Sequence, residues 1–192
     1  MVVTNNSLHV SMNGNCNPRA EGPDPTRQHS CLLIDQHNTF SATRKTLMKW
    51  ITRSHVHVDR VACPWLVSRF IDSAASFLFV PKSKVLEIAT ETGAIPFDTP
   101  GAALHHRDGL CTFDVIIQEY GLTDKALLRM AKVINAADTD RLDSDPLAAG
   151  FEAIAVGYSL RYPADLDNIE RQFAVYDALY AWCRLEVAKN GA

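Results

Sequence analysis

The 192-residue chain lacks most of the features that announce a function outright. No apolar run approaches the ~20 residues that a membrane-spanning helix needs. Residues 1–15 are polar, with neither the basic start nor the apolar core of a secretory signal, so a cytoplasmic protein is expected. Positive charge is also scarce. There are 19 Lys and Arg against 22 Asp and Glu, a net charge of -3, which is a poor balance for gripping phosphate backbones, and no direct nucleic-acid binding is expected. The five cysteines (Cys16, Cys31, Cys63, Cys111, Cys183) are odd in number, widely spaced and contain no CxxC pair, which argues for reduced thiols over a disulfide framework or a zinc–cysteine cage. GxGxxG after a strand, GxxxxGK before Ser or Thr, HExxH and GxSxG are all missing. No nucleotide or nicotinamide cofactor is therefore expected, and serine-hydrolase chemistry has no support.

What is present is an ordinary globular composition, 47% hydrophobic and 21% charged, enough for one domain plus a tail. Residues 1–44 are dominated by Asn, Pro, Gly, Ser and His, with only Cys31-Leu32-Leu33-Ile34 apolar, and read as a disordered or weakly ordered extension. Residues 45–189 read as the domain. Lys49–Arg53 is predicted as a strand, Val61–Ile71 as a helix, Ser76–Val80 as a strand ended by Pro81, and Lys84–Thr92 as a helix stopped by Gly93. Three turn signals fill Ile95–Gly109, with room for a short strand at Ala103–His106. Helices are predicted over Thr112–Tyr120, Asp124–Ala137, Pro146–Ser159 and Leu166–Ala188. The sum is an α+β fold: a helix-rich single domain with a small sheet near its N-terminal end.

Asp177 is the one charge in the stretch Phe173–Cys183, whose residues put apolar side chains around most of a helix. Such a helix is expected to be buried, and an ionised carboxylate on it needs a cation, a metal or several donors. Asp138 extends the inward stripe Leu127, Ala131, Ile134 and also sits at a helix C-terminus, where the macrodipole disfavours negative charge. Two readings follow. Asp138 belongs to a buried ion-pair network with Arg69, Arg107 or Arg141, or else His106, Asp138 and Asp177 hold one divalent transition metal, a donor set that suits iron, manganese or zinc. Arg60 and Arg69 are the candidate oxyanion ligands, Arg69 having carboxylate neutralisation as its alternative role. Cys63 precedes Pro64, and proline fits the first turn of a helix, so Cys63 is expected near an N-cap beside Arg60, where a thiol becomes reactive; the alternative is an inert buried cysteine. His55 and His57 are expected to be exposed, and of His105 and His106 only one can face an interior site.

Four segments carry a wider likeness: Asp59-Arg60-Val61-Ala62-Cys63-Pro64-Trp65-Leu66 with Arg69-Phe70-Ile71-Asp72; His105 to Asp114; Ala136-Ala137-Asp138-Thr139-Asp140-Arg141; and Tyr176-Asp177-Ala178-Leu179-Tyr180-Ala181-Trp182-Cys183-Arg184. In this order they resemble the C-terminal domain of ChrB-type chromate-resistance proteins, over about residues 48–186. The resemblance implies a role in chromate resistance: a sensing or regulatory module that answers to chromate, another oxyanion or a metal, and is linked to a chromate efflux pump. Full-length members carry a further N-terminal part, and residues 1–44 do not look like a folded DNA-binding unit. The competing expectations are a metal-dependent oxidoreductase or lyase using the same Asp and His residues, and a partner-binding module with no ligand site.

Overall fold

The computed structural model describes residues 48–191; the N-terminal extension expected over residues 1–44 lies outside them. Three parallel strands come first: β1 (Lys49–Arg53), β2 (Ser76–Val80) and β3 (Ile95–Pro96), in the order β2-β1-β3. β1 is the centre, with Trp50 opposite Phe77 and Ile95, and Ile51 opposite Leu78 and Pro96. A parallel central strand is covered on both faces, and Trp50, Ile51 and Thr52 are all fully buried. Alternation along β1 then separates two cores: Trp50 enters the main one, while Ile51 packs with Val85, Ala89 and Ala94 beneath α2 (Val85–Thr92). β3 was not foreseen as a strand because Pro96 marks a turn; as an edge strand it tolerates a residue with no N–H. The segment expected to offer a strand at Ala103–His106 contributes only a bridge between Leu104 and Phe97.

The first helix, α1 (Val58–Leu66), begins three residues before its predicted start, so Pro64 sits in its interior. The proline removes the N–H that would bond the Arg60 carbonyl. The chain then widens into a π-helical turn, Val67–Ile71, with Asp72 N–H bonding the Val67 carbonyl. Four more helices follow: α3 (Thr112–Glu119), α4 (Lys125–Asp138), α5 (Ala148–Arg161) and α6 (Asp165–Asn190). Asp114 accepts from the Cys111 N–H at the start of α3, and Asp124 caps α4 by accepting from Leu127 N–H at 2.7 Å. α4 lies at the centre of the helical layer, burying Leu127, Met130, Val133 and Ile134 against α1, α5 and α6. α6 differs from its reading as a helix buried all round. Ile169, Tyr176 and Cys183 face the core, whereas Ala174, Ala178 and Ala181 face solvent and Leu166 is exposed. Alanine counts as apolar in the sequence but costs little on an outer helical face. No helix among the described residues is long and apolar enough to cross a membrane.

Candidate functional site

Two helix N-termini organise the polar centre. Asp138, the last residue of α4, accepts at 3.0 Å from the Asp59 N–H in the first turn of α1. Asp59 in turn accepts from the first two amides of α3, Thr112 N–H at 2.7 Å and Phe113 N–H at 3.0 Å. Each carboxylate thus meets the unpaired amides and positive dipole end of a neighbouring helix, which offsets the penalty Asp138 suffers at the end of its own. Asp59 is buried, and Asp138 nearly so.

The turn-rich segment between β3 and α3 supplies the rest. Asp98 has a left-handed backbone (φ 45°) that Asp tolerates better than most residues, and its side chain is buried. One oxygen of Asp98 meets Arg60 Nη1 at 2.8 Å and Arg53 Nη2 at 3.3 Å. His106 then places a single nitrogen, Nε2, among three carboxylates: Asp59 at 3.1 Å, Asp138 at 3.2 Å and Asp98 at 3.3 Å. One N–H cannot serve three acceptors well.

The electrostatics express this crowding. Hydrogen bonds to Asp138, Asp59 and Asp98 push the His106 imidazole up to about 12. Burial, with the neighbouring Asp138 and Asp98 charges, raises Asp59 to about 6 against the pull of His106. For Asp98, burial pushes upward, but His106, Arg60 and Arg53 outweigh it and hold the carboxyl below its usual range.

The same atoms fit a metal. One ligand atom each from Asp59, His106 and Asp138 lies within 4.8 Å of the others. Ligands bonded at ~2.1 Å stand about 3.0–3.4 Å apart at octahedral or tetrahedral angles, and the two His106-to-carboxylate distances, 3.1 and 3.2 Å, fall in that interval. Beside His106 is a cavity of about 180 Å³ lined by Arg53, Asp98, Thr99, Pro100, His105 and His106. Among the described residues, His105 Nδ1 and the Nε atoms of Arg53 and Arg60 are buried without a hydrogen-bond partner.

Of the three residues expected to share a metal, the structure brings together His106 and Asp138. Asp177 is elsewhere: Trp65 Nε1 donates to it at 2.8 Å, and Arg69 grips both its oxygens at 3.0 and 2.8 Å. Its side chain is 45% exposed, because α6 buries only one stripe and Asp177 lies at its margin. Arg69 hydrogen bonding holds Asp177 below the usual carboxylate range, with Trp65 helping against slight desolvation. The cation beside Asp138 is His106, whereas Arg69, Arg107 and Arg141 are engaged with Asp177, Glu119 and Asn135. Arg60 and Arg69, the candidate oxyanion ligands, both hold carboxylates, which for Arg69 is the neutralising role also expected of it, on a half-exposed side chain.

Of its two readings, Cys63 takes that of a buried cysteine and not that of an activated thiol at an N-cap. The earlier helix start places it in the interior of α1, fully buried, where its Sγ donates to Asp59 at 3.5 Å. Burial and the Asp59 charge push its thiol well above the ordinary value. His55 is exposed, and His57 forms the N-cap of α1. The sequence reading missed Asp59, although it stands in the apolar stretch that becomes α1, and Asp98, which looks like any acidic residue before a Pro-Gly turn. Arg53 and His105 were missed as lining residues.

Fold and centre together define a class: a helix-rich α+β domain built around a buried acid–imidazole cluster, with no Gly-rich nucleotide loop. Residues 50–183 match the family described as ChrB, C-terminal domain, and the chain belongs to that family. It is 36% identical over 135 residues to Protein ChrB of Cupriavidus metallidurans, across 69% of this chain and 40% of that protein. The chain therefore spans about two-fifths of the length of this curated relative. No solved structure matches it.

Proposed function

We propose that the chain serves chromate resistance as a metal- or oxyanion-responsive regulatory module supporting a chromate efflux system. The observation that carries this reading is the convergence of Asp59, His106 and Asp138 on one point. These residues come from three separate segments: the start of α1, the turn segment after β3 and the end of α4. A divalent transition metal bound there, as iron, manganese or zinc, would supply a positive centre tying those segments together. Ligand arrival would then stiffen the helical layer and shift its conformational population. The adjoining cavity, with Arg53 and His105 on its wall beside the Asp98 carboxylate, has the size for a small oxyanion such as chromate.

Metal analysis of the purified protein tests this. About one transition-metal ion per chain is expected, lost in His106→Ala and retained in Asp177→Ala, since Asp177 is committed to Arg69 and Trp65. A folded, metal-free wild type that takes up no added iron, manganese or zinc rejects the coordination reading. The sensing half is checked by thermal melting: micromolar chromate is expected to raise the melting temperature, and an unchanged transition removes direct sensing. One observation favours a second reading, a metal-dependent oxidoreductase or lyase. The cavity stands beside His106, where a substrate could approach the centre, and turnover lost in His106→Ala would select it.

A further inference from the structure

The outward face of α5 is unusual for a helix surface. Three turns of it present Gly150, Ala153, Ile154, Gly157 and Leu160, all exposed and none charged. Leu160 is 81% exposed. Residues at these spacings of three and four form one stripe. The two glycines, seven residues apart on it, have no explanation among the described residues. Neither has a left-handed backbone, and a Cβ built on either would meet nothing within 4 Å. Glycine weakens a helix interior relative to alanine, so bare backbone here is useful only if something outside approaches closely.

We propose that this face is the contact between two copies of the chain, paired antiparallel about a two-fold axis. A two-fold contact must be self-complementary, each residue meeting a partner that meets it in return. Antiparallel register satisfies this when Gly150 lies opposite the partner's Gly157. Ile154 then meets the partner's Ala153 at the axis, and the glycine gaps let the helices pack at close range. The same register sets Arg161, the last residue of α5, level with the partner's Pro146. Asp143, in the 3-10 turn Leu142–Ser144, precedes that proline by three residues in sequence. Both Asp143 and Arg161 are exposed, and neither forms a salt bridge among the described residues; Arg161 only stacks on Tyr162 at 5.1 Å. Opposite charges stand ready at both ends of an apolar stripe, the arrangement that fixes orientation in a pair. A contact built mainly on one helix is small, so the dimer is reversible.

Sedimentation of the full chain across micromolar concentrations tests this. The 21.3 kDa monomer is expected to double in mass as concentration rises. Leu160→Glu and Gly157→Leu each weaken association by about 100-fold or more. Arg161→Asp weakens it about tenfold, and adding Asp143→Arg restores it. The altered residues are exposed, so the monomer keeps its wild-type circular dichroism and melts no lower than wild type, Gly157→Leu somewhat higher; if Gly157→Leu fails to fold, Leu160→Glu still decides. A monomer at every concentration overturns the proposal and leaves the face to another occupant. So does a dimer indifferent to Leu160→Glu and Gly157→Leu, or a charge swap that restores nothing.

Discussion

Two arginine–aspartate pairs in this protein share the same shortest contact, 2.8 Å, and have opposite surroundings. In Arg60–Asp98 the side chains are 13% and 4% exposed; in Arg69–Asp177 they are 44% and 45% exposed. The first stands within reach of Asp59, Asp138 and His106, whereas among the described residues the second has only Trp65 for polar company. An isolated pair at the surface is a fastening and little else. A buried pair that shares its field with two more carboxylates, a second arginine and an imidazole cannot be understood two charges at a time.

Cutting each pair separates them most sharply. Arg60→Ala strands Asp98 out of water and is expected to destabilise the fold by about 3 kcal/mol, the low end for a broken buried pair because Arg53 and His106 remain. Arg69→Ala should cost under about 1 kcal/mol, since solvent screens what is left. Urea denaturation measures both, and equal losses would erase the distinction. Next in size is the protection of Cys63, which lies within the buried region beside Asp59. Its alkylation at neutral pH is expected to run roughly 100-fold or more slower than in the unfolded chain. A rate matching the unfolded chain would reinstate the activated thiol.

The smallest effect belongs to the exposed pair and depends on pH. Arg69 lowers the folded-state pKa of Asp177 below 3.8, so the stabilisation is present above that value. It is lost as pH falls through the lowered folded pKa. Exposure limits it to under about 1 kcal/mol. Asp177→Asn should therefore leave the variant slightly weaker than wild type near neutral pH, with the difference narrowing as pH falls below 3.8 toward the lowered folded pKa. A gap that persists in acid would mean that Asp177 acts through packing.

Much of the fold was legible before any coordinates. β1 and β2 fall on their predicted residues because strand runs bounded by turns and Pro81 leave little choice, and α3, α4 and α6 start within a residue of their predicted starts. The misplaced start of α1 came from reading Pro64 by its commonest position; packing of Val58, Val61 and Leu66 overrode that preference. The centre was half legible. Asp138 could be placed by its stripe, and the His105–His106 pair narrowed to one inward imidazole. Asp59 and Asp98 could not, because the donors that hold them, the first amides of α3 and the Arg60 fork, are distant in sequence and appear only once the helices have docked. Asp177 misled because alanines made α6 read as buried on every side.

Left-handed backbone at Asp98, Gly101, Asp108 and Gly109 gives the segment carrying His106 a shape of its own, independent of any occupant. That shape is set when the chain folds, so a ligand bound there as proposed would find the imidazole already placed and no loop left to organise.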